Sequence, residues 1–114
     1  MTTIINCTPH EIVVVVGDKE TRIPASGIIP RVTTTEKIIN TLEIEGVEVP
    51  VTKSVAGKTE GLPAKINGTY YIVSRVVASS HPDRNDLLIP NGLVRDQDGR
   101  IVGCSSLVTI SLKE

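Results

Sequence analysis

The sequence predicts a mainly β protein, a small single-domain barrel or sandwich with long loops and at most a short helical turn. Three observations carry that reading. The chain has no Phe and no Trp, so its core falls to Ile, Val and Leu, branched side chains that suit a pleated sheet better than a helix. Its apolar runs are of strand length and are bounded by Gly, Pro, Asn and Asp, the residues that make turns. No apolar period of 3.6 is sustained, which removes the amphipathic helix as a building unit. With 114 residues the chain has room for one domain, residues 1–114, and not for a catalytic domain beside a separate binding domain.

Glu11 to Val16 is a β-branched run stopped by Gly17-Asp18 and followed by Glu20 to Ile23, which predicts a hairpin. Pro24-Ala25-Ser26-Gly27 breaks the pattern. Ile28 to Val32 resumes an extended segment in which Pro30, lacking an N–H, belongs at an edge or a bulge. Ile38-Ile39 and Leu42-Glu43-Ile44 lead to Gly46, and Val47-Glu48-Val49-Pro50-Val51 alternates as a strand with one buried and one outward face. A second hairpin around Gly46 follows. Thr52 to Asn67 holds Gly57, Gly61, Pro63 and several charges, and reads as a long surface loop.

Tyr70 to Val77 is the expected central strand. The one helical candidate is a turn near Ser80 to Asp86, with Ser80 as cap and Pro82 at its first position. Leu87-Leu88-Ile89 is expected to be a short strand ended by Pro90-Asn91-Gly92. Asp98-Gly99 marks a type I′ turn, in which both central residues need positive φ; Arg100 to Cys104 returns from it, and Leu107 to Leu112 closes the chain.

Charge excludes one class of partner. The formal net charge is −1, so there is no broad cationic field to hold a long nucleic acid by counterion release. The only aromatics are Tyr70 and Tyr71, too few for a platform that stacks successive bases. No apolar run approaches the roughly 20 residues that cross a bilayer, and Met1-Thr2-Thr3 lacks the basic start of a signal peptide. The expectation is an intracellular protein without a membrane partner, with Cys7 and Cys104 reduced and packed as small apolar groups.

The polar stretch Ser79-Ser80-His81-Pro82-Asp83-Arg84-Asn85-Asp86 is the main candidate site. His10, His81, Asp83 and Asp86 offer metal-ligand atoms, but their spacing matches no defined metal motif, and no metal or other cofactor is assigned. The plainer reading of the same residues is Asx turns and an Arg84 ion pair, with His81 in solvent. His10 and His81 could act as a general acid/base pair, with Arg31, Arg84 or Arg95 meeting developing phosphorane charge. There is no Gly-x-Ser-x-Gly elbow, dinucleotide-binding spacing or Walker loop, and no residue is assigned a catalytic role. A barrel mouth can still hold a phosphorylated small molecule, with arginine forks on phosphate and Asn or Asp on ribose or base edges. Arg84, Asn85 and Asp86 supply that kit consecutively. His10, presented from the bend at Pro9, is either a second wall of the site or a bend residue.

The series Asn6-Cys7-Thr8-Pro9-His10, Ile23-Pro24-Ala25-Ser26-Gly27, Arg31-Val32, Gly61-Leu62-Pro63, Tyr71-Ile72-Val73-Ser74, Arg84-Asn85-Asp86, Pro90, Val94-Arg95-Asp96 and Gly99 to Cys104 resembles small uncharacterised proteins carried by phages, prophages and bacteria, across nearly the whole chain. Some phage proteins of this size are sponges that sequester nucleotide immune messengers such as cyclic ADP-ribose isomers, histidine-ADP-ribose or cyclic oligonucleotides. The resemblance marks His10, Arg31, Arg84, Asp86 and Arg95. It implies a phage-encoded protein in the host bacterial cytoplasm that binds a nucleotide-derived messenger, of ADP-ribose or cyclic-nucleotide type, without cleaving it. The ligand-binding set is then His10, Arg31, His81, Arg84, Asn85, Asp86 and Arg95, with Arg31 and Arg84 on phosphate. Tight capture suits a homo-oligomer. The alternatives are a hydrolase of a cyclic nucleotide signal using His10 or His81, and a virion accessory protein whose β edges pair with neighbours.

Overall fold

The computed structural model describes residues 2–111; the Ala56 side chain lies outside that description. The described residues form eight strands and one short helix. The strands are β1 (Thr3–Asn6), β2 (Ile12–Val16), β3 (Lys19–Ile23), β4 (Arg31–Ile44), β5 (Val47–Glu60), β6 (Thr69–Ile72), β7 (Leu87–Arg95) and β8 (Ile101–Val108), and the helix is α1 (Arg75–Ser79). The fold is mainly β, as the aliphatic composition predicts.

Six strands make one sheet in the order β1-β6-β7-β8-β2-β3. β1, β6 and β7 run parallel, β7 and β8 antiparallel, β8 and β2 parallel, and β2 and β3 antiparallel. The sheet curls into a half-barrel. Just past β3, Ala25 forms a parallel bridge to Asn6 at the end of β1, so the two sheet edges meet at one end. Cys7, Tyr71, Val73, Val77, Ala78, Leu87 and Ile89 form the buried core, with Ile5, Val32, Leu62, Val108 and Ile110 packed against it.

Asn6 holds that seam. Its side chain is buried, and its Nδ2 donates to the carbonyls of His10 (2.7 Å) and Ile23 (3.0 Å). Its Oδ1 accepts from Thr8 N (2.9 Å) and Thr8 Oγ1 (2.6 Å). The Asn6 carbonyl accepts from Ser26 N and Ser26 Oγ at 3.0 and 2.7 Å. One amide thus bonds carbonyls from two chain segments and ties them to the end of β1.

Both early hairpins form as expected. Gly17 has φ 61° at the first of two turn residues between Val16 and Lys19, the position where a type II′ turn requires it. Glu45 (φ 50°) and Gly46 (φ 81°) join Ile44 to Val47, a pair of positive φ values that marks type I′.

Several expectations about local structure are corrected. Thr52 to Asn67 is not one loop: residues as far as Glu60 belong to β5, which pairs with β4 as a separate two-stranded sheet. Glycine and charge are tolerated there because the ribbon is solvated, and Gly57 is required by its close approach to Thr33, whose carbonyl O would lie 2.9 Å from an added Cβ. Tyr70 to Val77 is not one strand. β6 stops at Ile72, and Ser74, extended at φ −70° and ψ 159°, caps α1 by accepting from Val77 N at 3.4 Å. Val76 and Val77 favour sheet by propensity, but burial of Val77 and Ala78 in the core prevails. Ser80 consequently ends the helix where the sequence suggested a start, its N–H donating to the carbonyls of Val76 and Val77.

Ile28 and Ile29 lie outside any strand, and Pro30 immediately precedes β4. β7 does not end at Pro90, which pairs with Leu107; the β6 pairing reaches only Leu88, so Pro90 sits where one side of β7 is open and no donor is needed there. At the β7–β8 connection only Gly99 has positive φ (80°), so the turn is not type I′. Asp96 holds it instead, its Oδ1 accepting from Asp98 N (2.9 Å) and Arg100 N (3.0 Å). Leu107 and Val108 belong to β8, and Leu112 lies outside the described residues.

Candidate functional site

The loop after β5 (61–68) and the segment leading into β7 (84–86) are knitted together. Parallel pairing of β6 with β7 brings Tyr71 beside Leu87, and Tyr71 N donates to the Asp86 carbonyl at 2.9 Å. The buried Tyr71 ring sends its hydroxyl to Ala64 O at 3.0 Å. Arg84 makes a two-point contact with Asp86, Nε to Oδ1 at 2.7 Å and Nη2 to Oδ2 at 2.8 Å, and Nη2 also reaches Pro63 O at 3.1 Å. Lys65 Nζ donates to Asn85 Oδ1 at 2.6 Å.

The Arg84–Asp86 pair is largely sealed: the Asp86 side chain is 3% exposed and that of Arg84 17%. Hydrogen bonding to Arg84 holds the Asp86 carboxyl below its ordinary pKa, against the opposing push of burial. The same bond raises Arg84. Both groups stay charged at neutral pH, and each is already occupied by the other.

A polar hollow of about 140 Å³ opens beside this pair, bordered by Lys65, Asn67, Tyr70, Asn85 and Asp86. Alternation along β6 explains the tyrosines. Tyr71 turns into the core and Tyr70 turns out, 37% exposed, at the rim. The hollow therefore combines an ammonium, carboxamides and one aromatic face. Its volume fits one moiety, a phosphate or a single ring, and falls below the roughly 300 Å³ at which pockets for whole drug-sized ligands begin.

Of the residues singled out from sequence, Asn85 and Asp86 border this hollow, and Arg84 braces it from behind through Asp86. His81 Nε2 lies 2.7 Å from Thr59 Oγ1 on β5. Arg31 is exposed at the start of β4, in register with Glu60. Arg95 donates to Gly99 O at 2.8 Å, at the β7–β8 hairpin. His10 is exposed at the bend before β2, where its carbonyl accepts from Asn6 Nδ2 and Thr8 Oγ1. None of these four borders the hollow. Lys65 and Asn67 escaped sequence reasoning, and the signal that could have flagged them is the Asn67-Gly68 turn feeding directly into the tyrosine pair.

An apolar hollow of about 270 Å³ lies across β2, β7 and β8, walled by Ile12, Val13, Leu93, Ile101 and Val102. Its one ionised wall residue, Glu11, accepts from Arg22 at 2.9 Å. Among the described residues no three His, Cys, Asp or Glu side chains cluster as a metal cage. Cys7 and Cys104 are both free and buried. Among the described residues no helix is long and apolar enough to cross a membrane. Compared with protein-family models, curated proteins and solved structures, the chain matches none.

Proposed function

We propose that this chain is a phage-encoded binding protein that captures a small phosphorylated, nucleotide-derived messenger and holds it without turning it over. The observation that supports this reading is the hollow in which Lys65 Nζ, the carboxamides of Asn67 and Asn85 and the exposed Tyr70 ring come together. An ammonium is a point-charge partner for phosphate, carboxamides suit ribose hydroxyls and base edges, and an outward tyrosine gives one stacking face. Given the volume, one moiety enters and the rest of the ligand lies across Tyr70. Arg84, tied to Asp86, positions the wall and does not itself contact phosphate.

The test is thermal-shift and calorimetric titration with cyclic and linear nucleotide messengers, followed by denaturation and recovery of the ligand. A ligand at a hundred times its Kd adds about 2.7 kcal/mol to stability and returns intact. Lys65→Ala and Tyr70→Ala abolish the shift while the unliganded protein keeps its melting temperature. No shift with any messenger overturns the reading, and recovery of cleaved ligand favours the hydrolase. That alternative lacks support from an imidazole at the hollow, because His81 contacts Thr59 and His10 lies at the β1–β2 bend. The virion accessory reading draws on one observation, the exposed β4–β5 ribbon, and predicts copurification with particles.

A further inference from the structure

The chain has five asparagines, and two of them, Asn67 and Asn91, precede glycine. Asparagine is the thermolabile member of such a pair, and glycine, having no side chain, leaves its own nitrogen open to attack the neighbouring carboxamide. Asp98-Gly99 can close the same five-membered ring from a carboxyl. Exposure does not separate the three pairs, since all six residues are exposed. Hydrogen bonding does.

Asn67 and Gly68 are the central residues of a turn closed by Thr69 N donating to Ile66 O at 3.0 Å. Gly68 has φ 82°, at the position where a type II turn needs glycine. Among the described residues neither the Asn67 carbonyl, nor the Gly68 N–H, nor the Asn67 carboxamide has a hydrogen-bond partner. The peptide plane between the two residues is therefore free to rotate and bring Gly68 N onto Asn67 Cγ. The Gly68 carbonyl belongs to the next peptide and is held by Thr3 N at 2.9 Å, so β6 stays anchored while the turn moves.

The other two pairs are tied. Asn91 lies inside β7, in register with Ser106 and followed by the pairing of Leu93 with Cys104. Its Nδ2 donates to Ser106 Oγ at 3.2 Å, and its carbonyl accepts from the same hydroxyl at 3.4 Å. Ser105 Oγ fills the space where a side chain on Gly92 would begin, so turning the Asn91-Gly92 peptide disrupts the ladder on both sides. At Asp98 the attacking atom is engaged, because Gly99 N donates to Asp96 O at 3.1 Å.

We propose that Asn67-Gly68 is a site of spontaneous modification in the folded protein, at which Asn67 loses its amide through a cyclic imide. Gly68 N gives its proton to water and bonds to Asn67 Cγ; the Cγ–Nδ2 bond breaks, and ammonia leaves with a proton from solvent. Water then opens the ring. Attack at Cγ gives aspartate at position 67, and attack at the main-chain carbonyl carbon gives isoaspartate, with the chain running on through Cγ. One amide and one water become one carboxylate and one ammonium, with no oxidant or reductant. Either product places a carboxylate on the rim of the hollow that Asn67 shares with Lys65, where it offsets the ammonium and repels an entering phosphate. That consequence rests on the ligand reading; the modification itself does not.

Peptide mapping by mass spectrometry, over a time course of the full chain kept folded or held in guanidinium, tests it. In guanidinium both Asn-Gly pairs convert at similar rates. In the folded protein Asn67 converts nearly as fast as in guanidinium, and faster in mildly alkaline than in mildly acidic buffer, while Asn91 is slowed by about tenfold or more, because its peptide must first leave the ladder. Equal slowing at the two sites, or an Asn67 that survives folded while it converts in guanidinium, overturns the proposal. For the consequence, Asn67→Asp is titrated with ADP-ribose and with inorganic phosphate, and binds about tenfold more weakly than the unmodified protein; equal binding refutes it. If neither probe binds the unmodified protein, the ligand reading falls and the peptide map still decides the modification.

Discussion

Removing Arg84 leaves a buried carboxylate without its main counter-charge. Stranding one partner of a buried ion pair costs about 3–5 kcal/mol, against the roughly 5–15 kcal/mol that holds a whole domain together. The two halves of this pair are unequal. The Asp86 side chain is 3% exposed and that of Arg84 17%, and Arg84 alone would keep its bond to Pro63 O. Arg84→Ala is therefore expected to cost more than Asp86→Ala. The double substitution Arg84→Met with Asp86→Leu should cost less than the sum of the single changes, because it strands no charge. In urea, with a slope of about 1–3 kcal/mol/M, a loss of about 3 kcal/mol lowers the midpoint by about 1–3 M.

The pH dependence gives an independent check. The folded pKa of Asp86 is depressed, so the pair contributes stability that is present above the unfolded carboxyl value of about 3.9. That contribution is lost as pH falls through the folded value. In Arg84→Ala the desolvation that opposes ionisation is no longer offset, and the carboxyl moves up. The gap between wild type and variant is then full at neutral pH and narrows as pH falls from the variant's raised carboxyl value through the depressed wild-type one. The control is Arg22→Ala, which removes an exposed pairing to Glu11 and Glu20 and should leave the midpoint almost unmoved. An Arg84→Ala midpoint equal to that of Arg22→Ala, or a gap that ignores pH, refutes the reasoning.

Three further outcomes are expected. Asn6→Ala removes the side-chain donor to the Ile23 carbonyl and leaves the His10 carbonyl with Thr8 Oγ1 alone, and should lower stability by about 1–3 kcal/mol in chemical denaturation, the cost of one orphaned group. Gly103→Ala places a Cβ 2.8 Å from Val13 O, where β8 lies against β2, and should cost about 1–3 kcal/mol by the same assay; a neutral result would mean the two strands separate easily. Burial pushes the Cys7 thiol up, with Ser26 only partly countering it, and Cys104 is sealed beside Val13 O. Neither thiol should react with an alkylating reagent at neutral pH until denaturant is added, as mass spectrometry can establish.

The turns were legible because their chemistry is local. Gly17-Asp18 and Glu45-Gly46 announce reversals whatever the rest of the chain does, and they set the registers that follow. The polar segment at 84–86 was legible as a place where charge concentrates, and the plainer of the two readings of it, an ion pair with Arg84, is the one the geometry displays. Local signals misled where tertiary burial outweighed propensity. Tyr70 to Val77 reads as one strand until Ser74 caps a helix that delivers Val77 and Ala78 to the core. Thr52 to Glu60 reads as a loop until a cross-strand partner supplies its hydrogen bonds.

By itself, then, the sequence determined a β-rich aliphatic fold, the places where it reverses, and a net charge close to zero. Only the tertiary structure decided that Arg84 is committed to Asp86, that Lys65 and Tyr70 meet Asn85 around one hollow, and that the valines of the ribbon lie uncovered. Each of those facts depends on which distant segments lie side by side. Parallel pairing across a crossover, and a seam closed through one buried asparagine, leave no mark in any short window of residues.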